Sequence, residues 1–314
     1  MLSYILEHMG PKVNLCAKGR KLTNCNERPI KLPRFHLYRV DVIAINYYFC
    51  QSFMRIPFVK YSGTGNDFIA IDDRNRSFPE NDISLIRAMC DRHFGIGSDG
   101  LMLLRDVDEC DFEMIFFNPD ASKSLCGNGS RCSVHFAEEL GMTNGSGTFS
   151  TTDGVHEYNI PRRGFVEISM NDVDRAEEVK GMDFINTGSP HLVLFKNNAE
   201  SIDIEDEGRK WRYDDAFAPS GGTNVNFVQE IDSDTLRMRT YERGVEAETL
   251  SCGTGVTAAA LVKKKNKPGI HGISVHTRGG ILRVTFNNNG NGFSEIKLSG
   301  PVLRIFEGVY HVGE

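Results

Sequence analysis

Cys252-Gly253-Thr254-Gly255-Val256-Thr257-Ala258-Ala259-Ala260-Leu261-Val262 opens on a cysteine among glycines and then runs apolar on every side. A helix without a polar stripe has no face to offer solvent, so this one is expected inside a curled sheet. Upstream, Cys126-Gly127-Asn128-Gly129 nearly copies the opening. Cys132, Val134, His135, Phe136 and Leu140 then carry a second helix that stops near Gly141. Each cysteine falls late in a series of strands, which is the pattern of a duplicated α+β unit.

Around the first copy, Val59-Lys60-Tyr61 and Phe68 to Asp72 flank the turn Ser62 to Asp67 as a hairpin. Ile83, Ile86, Met89 and Cys90 share the face of a helix that begins near Asn81 or Asp82. Strands follow at 101–104 and 112–117 before the motif, and at 148–152, 156–160 and 165–170 after it. Residues 171–181 read as the link between halves. Around the second copy, strands are expected at 192–195, 225–229 and 236–241, with a helix at 205–211. The cysteine-led helix runs over 256–264, and strands close the chain at 273–277, 281–286, 294–298 and 302–306.

The chain has 314 residues, of which 40% are hydrophobic and 25% charged, enough to bury the cores of two domains. A net charge of −6 and the lack of a basic, aromatic-rich stripe argue against a nucleic-acid partner. Eight irregularly spaced cysteines are too few for a disulfide scaffold, so a reducing cytoplasmic setting is expected. No apolar run approaches the roughly 20 residues of a membrane span. Residues 1–53 differ from the rest. Lys12, Lys18, Arg20, Lys21, Arg28, Lys31, Arg34 and Arg39 face only Glu7, Glu27 and Asp41. This stretch reads as a basic extension outside the fold, from an upstream start. The alternative is an organelle-targeting or partner-binding arm.

Two motifs point elsewhere and fail on context. Gly95-Ile96-Gly97-Ser98-Asp99-Gly100 fits the dinucleotide fingerprint, but a helix precedes it and a strand follows, the reverse of what a pyrophosphate site needs. A tight structural turn is the expectation. Cys126, Cys132 and His135 include zinc-type ligands, yet Cys132 lies more than a turn into the helix and no second ligand pair follows. Neither a metal nor a cofactor is expected.

A buried cysteine beside glycine is ordinarily inert. Here the context is repeated, and a thiol at a helix N-terminus meets unpaired N–H groups and the positive end of the dipole, which lower its pKa. The glycines let several amides close on one anion, such as a carboxylate. Two thiols about one carbon can invert a stereocentre: a thiolate removes the α-proton on one face and a thiol returns one on the other. Without an electron sink, the carbanion depends on preorganised dipoles. A disulfide between Cys126 and Cys252 would remove both bases, so activity should require reductant.

From Met54 onward the chain resembles the diaminopimelate epimerase family. The motifs, in order, are 65–68 (Gly-Asn-Asp-Phe), 92–97 (Arg-His-Phe-Gly-Ile-Gly), 117–120 (Phe-Asn-Pro-Asp), 126–131 (Cys-Gly-Asn-Gly-Ser-Arg), Pro190-His191, 224–227 (Asn-Val-Asn-Phe), 241–244 (Tyr-Glu-Arg-Gly) and 248–255 (Glu-Thr-Leu-Ser-Cys-Gly-Thr-Gly). Together they cover all but the N-terminal arm. The resemblance implies two pseudo-symmetric α+β domains, each a curled, mostly antiparallel sheet around a central helix. The first would comprise residues 54–172 plus about 304–314, and the second 173–303, with the site in the cleft. It further implies cofactor-independent interconversion of LL- and meso-2,6-diaminopimelate, an isomerase step toward lysine and peptidoglycan, by a cytoplasmic homodimer.

On the same resemblance, Cys126 and Cys252 are the acid–base pair, and Gly127, Asn128, Gly253 and Thr254 cradle the reacting carboxylate. Asn66, Asn118, Asn224, Glu242 and Arg243 contact substrate, with Arg243 on the distal carboxylate. His191 and Glu242 tune the thiols. Read alone, His191 would satisfy a loop carbonyl and Glu242 with Arg243 would be a solvated ion pair. Three departures stand out: Ser189 replaces a frequent asparagine, Gly100 a frequent glutamine, and residues 243–252 include about one extra residue. Ser189 reaches less far and is not ranked with the contacts. The rival readings are a proline or hydroxyproline racemase, which usually has histidine at the Asn128 position and needs no distal clamp, and a silent amino-acid-binding protein.

Overall fold

The computed structural model describes residues 54–312 and the backbone of residues 15–18 and 21–24. Those two short segments pair as an antiparallel hairpin, Leu15–Lys18 with Lys21–Asn24, in a unit distinct from the rest. Most of the stretch read as an N-terminal extension lies outside the described residues.

The main unit is organised by four places where neighbouring strands run parallel. Parallel neighbours need a crossover, and a helix is its usual form. Asn66–Asp72 pairs parallel with Gly100–Arg105 across helix α1, Ile83–Cys90. Phe112–Phe117 pairs parallel with Ser146–Thr151 across α2, Gly127–Glu139. The second half repeats the scheme. Pro190–Phe195 is parallel to Asn224–Glu230 across α3, Ile204–Arg212, and Thr235–Glu242 is parallel to Gly269–Thr277 across α4, Gly253–Lys263. The remaining strand pairs named here are antiparallel, so the expected α+β duplication is present with a cysteine at the head of each second crossover.

The crossovers differ in what they pack against. α1 starts where Asp82 caps it, its Oδ1 accepting from the Leu85 amide at 3.0 Å. It seats Leu85, Ile86, Met89 and Cys90 on the outer face of the first sheet, against Ile69, Ile71, Leu101 and Leu103. α3 lies on the outer face of the second, and Gly208 is required there because a Cβ would meet the Tyr241 Cβ at 2.4 Å. α2 and α4 instead lie in one shared core with Val166, Ile168, Val284 and Leu298. Val256 and Ala258 to Val262 are all buried, as a helix apolar on all sides demands.

Gly292–Pro301 ties the halves together. One edge pairs with Gly280–Asn288 and the other with Phe165–Ser169 of the first sheet. The last strand, Leu303–Val312, pairs antiparallel with Met54–Gly63. The segment 171–181, read as a link, carries short strands of its own: Val173–Asp174 pairs with the strand Gly292–Pro301, and Glu177–Val179 with Met182–Asn186. None of the described helices is long and apolar enough to cross a membrane.

Candidate active site

Cys126 and Cys252 are both N-cap residues, with nearly identical extended backbones: φ −130°, ψ 108° for Cys126 and φ −124°, ψ 112° for Cys252. The first amides of a helix have no acceptor within it. Gly127, Asn128, Gly253 and Thr254 therefore present donors beside the two thiols, the geometry of an anion site. A Cβ on Gly127 or on Gly253 would stand 3.1 Å from the same Leu298 methyl. The two helix starts thus converge on one side chain of the joining strand. A Cβ on Gly253 would also lie 3.3 Å from Asn128 Oδ1.

Side chains reinforce the convergence. Asn128 Nδ2 donates to Asn66 Oδ1 at 2.6 Å and to the Ser251 carbonyl at 3.4 Å, linking both halves. Asn66 Nδ2 donates in turn to Asp99 at 2.9 Å. Glu242 ends a strand of the second sheet and accepts from Thr249 Oγ1 at 2.7 Å. Its carboxyl is pushed up to about 7, first by burial, with the Thr249 hydrogen bond opposing and the Asp99 charge adding.

The thiols are supported differently. Cys126 Sγ accepts from the Gly129 amide at 3.4 Å. Cys252 Sγ makes no such cap hydrogen bond, feels the Gly255 amide only weakly, and lies 3.5 Å from Thr254 Oγ1. Behind Thr254, an amide can only donate from its nitrogen, so Asn226 Nδ2 fixes His191 Nδ1 as the acceptor, at 3.1 Å. His191 Nε2–H then donates to Thr254 Oγ1 at 2.9 Å and leaves the threonine proton for the sulfur. His191 is fully buried and its pKa is pushed down to about 3, by burial and then by Arg243. The imidazole is neutral and serves as a hydrogen-bond relay.

One expectation is corrected. The helix starts were expected to lower both thiol pKa values. Burial raises them instead, Cys126 to about 11 and Cys252 further, and the Glu242 charge adds to both. The Gly129 amide pulls Cys126 down and the Thr254 hydroxyl pulls Cys252 down, but neither outweighs desolvation.

The distal cluster also assembles. Asn224 Nδ2 donates to Ser189 Oγ at 2.9 Å, and its Oδ1 accepts from the Arg243 backbone at 2.9 Å. Arg243 Nη1 reaches the Ser220 carbonyl at 3.0 Å and Nη2 the Ser189 hydroxyl at 3.4 Å. Arg243 has no carboxylate partner in the described ion pairs, although its fork suits one. Ser189 therefore sits between two of the named contacts. Asn118 does not join them directly: its amide donates to Ser122 and Ser124 within the turn that precedes Cys126.

Other sequence features resolve simply. The amides of Gly95, Ile96, Gly97 and Ser98 are spent on carbonyls at the end of α1, so that loop is a structural turn. Gly100 faces the Phe116 ring, which a Cβ would meet at 2.3 Å, so a long side chain has no room there. Among the described residues no three His, Cys, Asp or Glu side chains cluster as a metal site would need. Sequence reasoning passed over Asn226, yet a signal was there: Asn224 and Asn226 are two apart on one strand, hence on one face, and both are buried.

Comparison with known proteins gives one answer. The family model for diaminopimelate epimerase matches residues 58–175 and 184–303. A diaminopimelate epimerase of Flavobacterium psychrophilum is 44% identical over 250 residues, covering 79% of this chain and 97% of the relative. Its counterpart in Aquifex aeolicus is 41% identical over 278 residues, covering 81% and 97%. Among solved structures, a PhzF-family phenazine biosynthesis protein of Bacillus anthracis has a TM-score of 0.64 at 14% identity, covering 82% of this chain and 99% of that one. A hydroxyproline epimerase from Agrobacterium vitis, with bound trans-4-OH-L-proline, has a TM-score of 0.59 at 14% identity, covering 83% and 93%. At such identities these two speak to the fold alone.

Proposed function

The chain belongs to the diaminopimelate epimerase family, and from that premise we propose that it interconverts LL- and meso-2,6-diaminopimelate by passing the α-proton between Cys126 and Cys252 without a cofactor. The single observation behind this reading is the pair of cysteine-capped helices meeting at Leu298. One thiolate accepts the α-proton while the opposite thiol gives up its own, so the carbon inverts and the enzyme finishes with the proton on the other sulfur. The reacting carboxylate sits on the amides of Gly127, Asn128, Gly253 and Thr254, where four preorganised donors offset the charge that builds as the proton leaves. Glu242 meets the reacting ammonium and shares its field with both sulfurs.

At the other end, Arg243 grips the distal carboxylate with its fork, and Asn224 with Ser189 orients it. Asn66 and Asn118 complete the contacts. A cyclic amino acid has no distal carboxylate for Arg243, which favours diaminopimelate over proline or hydroxyproline. Retention of both thiols favours an enzyme over a silent binding protein. The test is deuterium wash-in at the α-carbon. The proposal expects exchange with diaminopimelate and none with proline. Cys126→Ala and Cys252→Ala variants that both stay fully active would defeat it.

The finer assignments follow. Residues 54–172 with about 304–314 form the first domain and 173–303 the second. The enzyme is cytoplasmic. It works as a homodimer, for which the exposed Leu303, Ile305, Phe306 and Val309 on the last strand supply an apolar surface. Light scattering on a size-exclusion column should give twice the chain mass.

A further inference from the structure

Five Lys or Arg side chains are buried among the described residues: Lys60, Arg105, Arg131, Arg239 and Lys264. Four of them face a carboxylate, respectively Asp67, Asp73, Glu248 and Asp234. Arg131 faces none. It is 0% exposed and its Nε has no partner at all. A buried charge left without a counter-ion opposes folding, so a cation kept in that state points to an anion that arrives later.

The surroundings of Arg131 show where that anion would be. Arg131 lies on α2, just over one turn beyond Cys126. Nη1 donates to the Gly127 carbonyl at 3.3 Å, and Nη2 to Asn128 Oδ1 at 2.9 Å and Thr64 Oγ1 at 2.8 Å. All three partners are neutral, and two of them belong to the carboxylate cradle. The third is held at a cost. Thr64 adopts φ 56°, a left-handed conformation unfavourable to a β-branched residue. Gly300 also borders the guanidinium: a Cβ there would stand in ordinary contact with Nε at 3.4 Å, and it is a Leu282 methyl, at 2.3 Å, that excludes a side chain.

We propose that Arg131 is a positioning residue for the epimerisation: it holds Asn128 in the orientation that bridges the two helix starts, and it supplies the fixed positive charge against which the Cys126 thiolate forms and the substrate carboxylate binds. This rests on the two-thiol reading above. The groups whose charge reaches Cys126 are Glu242 from the second sheet, Cys252 at the head of α4, and Arg131 from its own helix; Cys132, next to Arg131 in the chain, shares the guanidinium's field and feels it more. Of these only Arg131 is a cation. In the second half the equivalent position is Thr257, whose hydroxyl merely returns to the Gly253 carbonyl, so the charge favours one thiol over the other.

The test follows alkylation of each cysteine by iodoacetamide against pH, read by peptide mass spectrometry, in the wild type, Arg131→Met and Arg131→Lys. Arg131→Met should raise the Cys126 midpoint by about one pH unit or more, a tenfold loss of acidity, and move Cys252 less. Arg131→Lys should return most of that shift. A folded Arg131→Met with an unchanged Cys126 midpoint overturns the proposal, as does a lysine variant no better than methionine. Should Arg131→Met fail to fold, the Nε resonance of 15N-labelled wild type decides: it must move as Cys126 ionises, and a fixed resonance overturns the claim. Wash-in by wild type tests the two-thiol reading separately, so the two can fail apart.

Discussion

The two cysteine-led crossovers share a backbone and differ in nearly every side chain around the sulfur. On the first, Cys126 takes the Gly129 amide, and a buried guanidinium lies one turn behind it. On the second, Cys252 meets a hydroxyl at the end of a relay through a neutral histidine, and Thr257 stands where the guanidinium would be. On the proposed mechanism, duplication gives two equivalent positions about one carbon, whereas an acid and a base must differ in protonation at any instant. The unequal surroundings supply that difference.

The comparison can be broken most decisively at the sulfurs. Cys126→Ala and Cys252→Ala should each lower kcat by about 10²–10⁴-fold, the usual weight of a general acid or base, with the fold intact by circular dichroism. Loss in only one variant would mean that the halves do not act as a pair. Next comes Glu242, the charge common to both. Its carboxyl becomes an anion as pH rises through about 7, so wild-type kcat/KM should climb across that region. Glu242→Gln should lie about 10²-fold lower and lack the climb, while an unaltered profile would remove Glu242 from the mechanism.

Smaller effects separate the halves. Thr254→Val cuts the relay to Cys252 only, so alkylation of Cys252 should slow by about tenfold, in line with one lost hydrogen bond to a charge, while Cys126 reacts as before. Equal slowing of both would show that the relay is not private to the second half. The mildest test is of stability. His191 is held near 3 when folded against about 6.5 unfolded, so between those values the unfolded chain binds more protons. Its contribution is therefore full above pH 6.5 and is lost as pH falls toward 3. Glu242, raised when folded, acts oppositely, full below about 4.5 and lost as pH rises through 7. Urea titrations between pH 4 and 6 should give His191→Asn a shallower acid loss than wild type.

What could be read from the sequence was local. A cysteine with glycines ahead of an apolar run fixes a buried helix start, and Asp82 announces α1 by its cap. The strand Met182–Asn186 escaped because Met-Asp-Phe-Ile-Asn is mostly half-buried and lacks alternation. The final strand continues to Val312, well past the expected 306, because pairing with Met54–Gly63 and not its own pattern sustains it. Arg131 stood inside a motif quoted for its cysteine, but its isolation is a property of what surrounds it in space. Asn226 was hidden behind Asn224 for the same reason: its use depends on a histidine from the neighbouring strand.

The pairing of Met54–Gly63 with Leu303–Val312 also sets an order of events during synthesis. The strand Met54–Gly63 leaves the ribosome well before its partner Leu303–Val312, which follows every other strand described. Until then one edge of the nascent sheet is open, a template for wrong partners, and its closure is among the slowest steps by sequence separation. Chains released before residue 303 should therefore aggregate where chains that include Leu303–Val312 stay dispersed, a difference that sedimentation of translation products would expose. The strand Leu303–Val312 thus acts as a seal on the sheet that opens with Met54–Gly63.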